Sequence, residues 1–202
     1  MRKIILVFTL FIIPIVSTYS IDEYRIGETI KIYDVNLKEI QSRITYYPAP
    51  FYSTIKNVIF LYFYEHINYT LVFDSDLRTE FIEILDKCIE WTIIAKNNNV
   101  HKLSRLVKER VGIPFVIPGV SKYPDVFFLY FTFSIQEING KEEIMLIINY
   151  KTKDQDNNGR QGSYIVIKQN DFNHLKEIFS ANYLIQFDKK AEEQIKAEEL
   201  FR

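Results

Sequence analysis

Asp154-Gln155-Asp156-Asn157-Asn158-Gly159 is the stretch whose residue types and spacing come nearest to a chemistry. Asp154, Asp156 and Asn158 place side-chain oxygens at the first, third and fifth positions, and a glycine follows for the sharp turn. That is the opening half of a calcium loop, where a hard cation is held by carboxylate and amide oxygens. The second half departs from the pattern, because the twelfth position, where a bidentate glutamate completes such a loop, is Ile165. Two readings stay open: a weak calcium site on Asp154, Asp156 and Asn158, or an exposed turn built from the residues that turns favour. Calcium is the one cofactor the sequence suggests.

Other chemistries have less behind them. Glu83, Asp86 and Glu90 recur at helical spacing and could line up to hold a cation or act as paired acids; a solvated helix face is the favoured account, with Lys87 four residues after Glu83. Cys88 is the single cysteine and falls among Phe81, Leu85 and Thr92 on an apolar stripe, so it reads as a buried thiol, not a nucleophile. His66, His101 and His174 share no local metal spacing. There is no Gly-x-Ser-x-Gly elbow and no phosphate loop. The chain therefore reads as non-enzymatic, with a hydrolase whose site is assembled in space as the remaining catalytic alternative. Nucleic acid is not an expected partner: the basic cluster at His101, Lys102, Arg105, Lys108 and Arg110 is local, and the formal net charge is −1.

The aromatic excess points to binding. Aromatic residues make up 15% of the chain, and Val126 to Phe133 (VFFLYFTF) places bulky side chains on both faces of a strand. One face must meet a helix. The other is covered by the shorter helix and the proline-rich loop or edge over Ile113–Pro124, lines a cavity for an apolar ligand, or forms a protein interface. The leading expectation is an interaction protein working through this aromatic-rich sheet face or its charged C-terminal helix, with another protein as partner. The alternative is a pocket protein for an apolar small molecule.

The elements that must position these residues follow from periodicity. Arg2 and Lys3 precede an apolar run, Ile4 to Val16, and then small or polar residues to Ser20, the pattern of a secretory signal peptide over residues 1–20. Its loss makes the net charge two units more negative and leaves no segment apolar and long enough to span a bilayer. Export with one cysteine fits a bacterial periplasm or cell surface, since small secreted domains usually depend on disulfides.

Residues 21–187 form one α+β domain, followed by a charged helix over residues 188–202. Strands are expected at Thr29–Val35, Lys38–Tyr47, Val58–Tyr64 and Tyr69–Phe73, then a long amphipathic helix over about 75–98 begun by Asp74, Ser75 and Asp76, with Phe81, Leu85, Ile89 and Trp91 expected on its buried side. Val100 to Val111 fits both periods, and helix is favoured. Val126–Ile138 and Glu142–Tyr150 form a hairpin about Asn139-Gly140. A strand at Ser163–Lys168 and a shorter helix over about 170–180 complete the domain. Hairpin connections between the clearest strands imply a mostly antiparallel sheet.

Overall fold

The computed structural model describes residues 23–27, 30–48, 57–64, 68–116, 125–152, 156–157 and 162–200. The expected signal peptide, two of the three calcium-loop residues (Asp154 and Asn158) and most of the proline loop lie outside them. Among the described residues the chain forms nine strands and three helices in an α+β arrangement. Strands β1 (Tyr24–Ile26), β2 (Ile32–Tyr33), β3 (Glu39–Tyr47), β4 (Val58–Tyr64) and β5 (Asn68–Phe73) lead into helix α1 (Ser75–Asn97). Then come β6 (Leu103–Val116), β7 (Asp125–Ile138), β8 (Lys141–Thr152), β9 (Ser163–Lys168), α2 (Phe172–Phe179) and α3 (Ala181–Glu199).

All nine strands are antiparallel members of one sheet in the order β1-β3-β2-β9-β8-β7-β6-β5-β4. Because β3 also pairs with β4, the sheet curls back on itself as a half-barrel. The seam lies between β5 and β6, which among the described residues pair only at Thr70 with Val116 and Leu71 with Phe115. Beyond those pairs α1 lies alongside β6. Lys108 Nζ of β6 sits 2.9 Å from Glu80 of α1, and Arg105 lies 4.5 Å over the Trp91 ring.

The alternation of each strand decides what faces the concave side. Ile59, Leu61 and Phe63 of β4, Phe127, Leu129, Phe131 and Phe133 of β7, and Leu146 and Ile148 of β8 all point inward and are buried. Phe73, Phe81 and Phe179 bind β5, α1 and α2 together, with ring centroids 5.0–5.4 Å apart. Each such ring contributes roughly 1.5–3 kcal/mol by burial, and each tilted or edge contact about 0.5–1.5 kcal/mol more.

Helix α1 starts where Asp74 accepts hydrogen bonds from the amides of Asp76 (3.1 Å) and Leu77 (3.0 Å), an acidic cap at the positive end of the dipole. It stops at Asn98 and Asn99, the latter with φ +52°. The hairpin turn is as the sequence implies, Asn139 and Gly140 taking φ of +53° and +73°.

Four expectations change. Residues 103–116 are strand: two bulges add residues to β6, so the inward-leaning Leu103, Val107 and Val111 stand four apart and imitate a helix. The shorter helix packs on the same concave face as the long one, since the curl leaves room there for both; Phe172, Leu175, Ile178 and Phe179 all join the main core. Trp91 is half-buried at the seam, against the edge of the core through Phe133 at 5.8 Å. The C-terminal helix starts at Ala181, because Tyr183, Leu184 and Phe187 already pack against the core.

Candidate functional site

The convex face of β6, β7 and β8 gathers the side chains that sequence reasoning had treated separately. On β7, Phe128, Tyr130 and Thr132 point outward and stay half-buried, while their neighbours Phe127, Leu129 and Phe131 are at most 1% exposed. The second bulge of β6 controls what meets them. Between Lys108 and Val111 the strand takes one more residue than β7 takes between Phe131 and Leu129. Arg110 absorbs the excess with φ +55°, a left-handed conformation costing a non-glycine residue about 1–2 kcal/mol.

That conformation delivers the Arg110 guanidinium 4.4 Å over the Phe128 ring. The same guanidinium donates from Nε to Asp156 Oδ2 at 3.1 Å. The Tyr130 hydroxyl donates a short hydrogen bond to Oδ1 of the same carboxylate. Lys151, on β8 opposite Phe128, places its ammonium 5.1 Å over the Tyr130 ring. The arrangement is a carboxylate held between a phenol and a guanidinium, on two aromatic rings that each carry a cation.

The electrostatics follow from these contacts. The hydrogen bond from Tyr130 outweighs desolvation and, with the bond from Arg110 and the charges of Arg110 and Lys151 added, holds the Asp156 carboxyl below its ordinary value of 3.8. The bond to Asp156 pushes the Tyr130 hydroxyl above its usual 10. Asp156 is only 11% exposed at its side chain, whereas Arg110 is 58% exposed. Arg110 therefore lies open to solvent, and Tyr130 half-buried, beside a covered acceptor.

Of the proposed calcium ligands, Asp156 is the one the structure describes, and its oxygens are already engaged by protein donors. Glu83, Asp86 and Glu90 are exposed, and Asp86 pairs with Lys176 of α2. Lys87 lies 5.3 Å over Trp91 instead of bridging to Glu83. Cys88 has no exposed surface, and burial pushes its thiol up to about 12. His101 Nδ1 contacts Glu142 at 2.7 Å, while His174 stands 3.9 Å from Glu177. Among the described residues no three His, Cys, Asp or Glu side chains are grouped to hold a metal ion.

Two features escape a reading of periodicity. Arg78, in the first turns of α1, is 9% exposed, with no hydrogen-bond partner for Nε and Nη1 among the described residues and its guanidinium 6.0 Å from the Tyr46 ring. Its position between Leu77 and Phe81 gave no sign of burial. The pairing of Arg110 with Phe128 and Asp156 depends on a bulge; its one trace in the sequence is the unusual spacing of Leu103, Val107 and Val111. Compared with protein-family models, curated proteins and solved structures, the chain matches none.

Proposed function

We propose that this chain is an exported, non-enzymatic binding protein of a bacterial periplasm or cell surface, and that it engages another protein through the convex face of β6, β7 and β8. The observation that carries the reading is the Phe128–Tyr130 pair, half-buried and each ring bearing a cation. Tyrosine and arginine set on a rigid sheet supply large contact area at low entropic cost, the composition of interface anchor points. The charged signal-like N-terminus supports export. A photo-crosslinking residue at position 128, in cells expressing the full chain, is expected to give a discrete adduct that Tyr130→Ala abolishes. Adducts unchanged by Tyr130→Ala, or a protein recovered uncleaved from the cytoplasm, would count against this function.

A second reading has its own observation. Between α1 and α2 lies a half-open groove of about 230 Å³, with Ile89, Ile93 and Phe172 as its apolar floor and Lys96, Gln169 and Asn173 at its rim. This is smaller than the ~300–1,000 Å³ of a typical ligand pocket, so an apolar small molecule is the secondary assignment. A bound molecule retained in native mass spectrometry and lost on Ile93→Trp would raise it to first place.

A further inference from the structure

Tyr130 and Arg110 do not merely decorate the convex face; together they form a receptor for a carboxylate, and Asp156 occupies it. We propose that Asp156 is a built-in placeholder, and that the partner of this face presents an acidic segment whose carboxylate takes its position. This rests on the binding-face reading above and adds the chemistry of the partner.

Three observations converge on it. The receptor has the donors that a carboxylate needs, one on each oxygen: the Tyr130 hydroxyl on Oδ1 and Arg110 Nε on Oδ2 at 3.1 Å. Next, the donors are held by the sheet. Tyr130 belongs to the β7–β8 hairpin, and Arg110 is fixed by its bulge and by stacking 4.4 Å from Phe128. Asp156, in contrast, belongs to the connection between β8 and β9, outside the sheet ladder. A ligand that arrives from a connection onto donors mounted on strands is the replaceable member of the set.

Finally, the surroundings carry charge to spare. Lys151 stands 5.1 Å over Tyr130 and adds a positive charge beside the carboxylate. Arg110 is over half exposed, and among the described residues its hydrogen bond is the one from Nε to Asp156. An incoming chain with several carboxylates therefore has Arg110 and Lys151 to meet at once. Charge complementarity selects an acidic protein segment, since a basic one would face two cations.

A tethered competitor lowers the apparent affinity for an outside ligand by the fraction of receptor it fills. Removing its charge without changing its shape must then strengthen binding. In fluorescence polarisation with a labelled oligoglutamate peptide and the full chain, Asp156→Asn is expected to bind about tenfold more tightly than the parent. Adding Arg110→Gln or Tyr130→Phe to Asp156→Asn should each weaken binding on the order of tenfold, as expected when a charge-assisted bond is lost. An oligoglutamine peptide should bind neither form.

Unchanged or weaker oligoglutamate binding by Asp156→Asn, with its melting temperature preserved, would overturn the placeholder and make Asp156 a structural clamp. Should the variant melt early, the Arg110 Nε–H resonance of the parent decides instead: addition of oligoglutamate must shift it, and no shift rejects the receptor. Failure here with retained crosslinking at position 128 leaves the binding face standing, whereas loss of that crosslink removes the face itself.

Discussion

Tyr46 on β3 and Asp188 on α3, 142 residues apart in sequence, are joined by a 2.6 Å hydrogen bond in which the phenol donates to the carboxylate. Burial first, then this bond, pushes the Tyr46 hydroxyl above its ordinary value of 10, outweighing the opposite pull of Arg78. The neutral phenol is thus favoured by folding. Its contribution is complete below pH 10 and declines as pH rises beyond that, where the unfolded phenol ionises first. Tyr46→Phe is expected to cost about 1.5–3 kcal/mol in urea unfolding at neutral pH, the worth of a bond to a charged acceptor. The variant should lose part of the parent's alkaline decline in stability; parallel pH profiles would show that the bond contributes nothing.

Arg78 is a charged side chain buried in the core. A guanidinium cannot shed its charge, and two of its nitrogens have no acceptor among the described residues. Among the described residues it takes part in no ion pair, while the nearby carboxylate of Asp188 accepts from Tyr46. Arg78→Met keeps most of the volume and removes the charge, so it is expected to stabilise the fold by about 1–4 kcal/mol in urea unfolding. Arg78→Ala should not, because it leaves a cavity. A loss of stability in Arg78→Met would show that the guanidinium is satisfied in solution.

How far these features were legible depended on whether local periodicity or long-range geometry set them. Asp74 as a cap, Phe81, Leu85 and Cys88 as a buried stripe, and Asn139-Gly140 as a hairpin turn are decisions made within a few residues, and the structure agrees with each. The α+β class followed from those elements. The curl of the sheet, which brings α1 and α2 onto one face, depends on β3 pairing with β4 as well as β2, and no local pattern encodes that. The bulges of β6 broke the two-residue alternation that identifies strands. The candidate face was half visible: Phe128 and Tyr130 stood out as aromatic residues on a second sheet face. Arg110 and Asp156, 46 residues apart, could be matched only once the strands were in register.

Trp91 and Glu83 separate scaffold from surface on α1. Trp91 is half-buried, meets Phe133 edge-on at 5.8 Å and lies beneath Lys87 and Arg105. Trp91→Ala is expected to cost about 2–3 kcal/mol, below the ~3–5 kcal/mol of a fully buried tryptophan. Glu83 is exposed, and Glu83→Ala should stay within about 0.5 kcal/mol of the parent. Chemical denaturation of both variants checks the pair, and a larger effect at Glu83 would reverse the assignment.

Cys88 offers a kinetic reading of the core. With no exposed surface and its thiol raised to about 12 by burial, it carries almost no thiolate near neutral pH and presents none to a reagent. Native protein should resist iodoacetamide at mildly alkaline pH and react fully once unfolded in guanidinium. Rapid labelling of the native state would show that α1 opens far more readily than its packing against Phe73 and Phe179 implies.

Calcium and Arg110 compete for one carboxylate. The ion needs the Asp156 oxygens free, and both are engaged, one by Tyr130 and one by Arg110. A cation entering the loop must displace the Tyr130 hydroxyl and the Arg110 guanidinium, which together hold the carboxyl below its ordinary value, so calcium binding to the parent is expected to be weak. Arg110→Gln removes the competing charge and should raise calcium affinity several-fold in calorimetry, while Asp156→Asn should abolish it. Because exported calcium modules work at about 10⁻⁴–10⁻³ M, titration to ~10 mM covers the relevant range. Flat traces for both the parent and Arg110→Gln would exclude the loop as a cation site and leave Asp156 to its bonds with Tyr130 and Arg110.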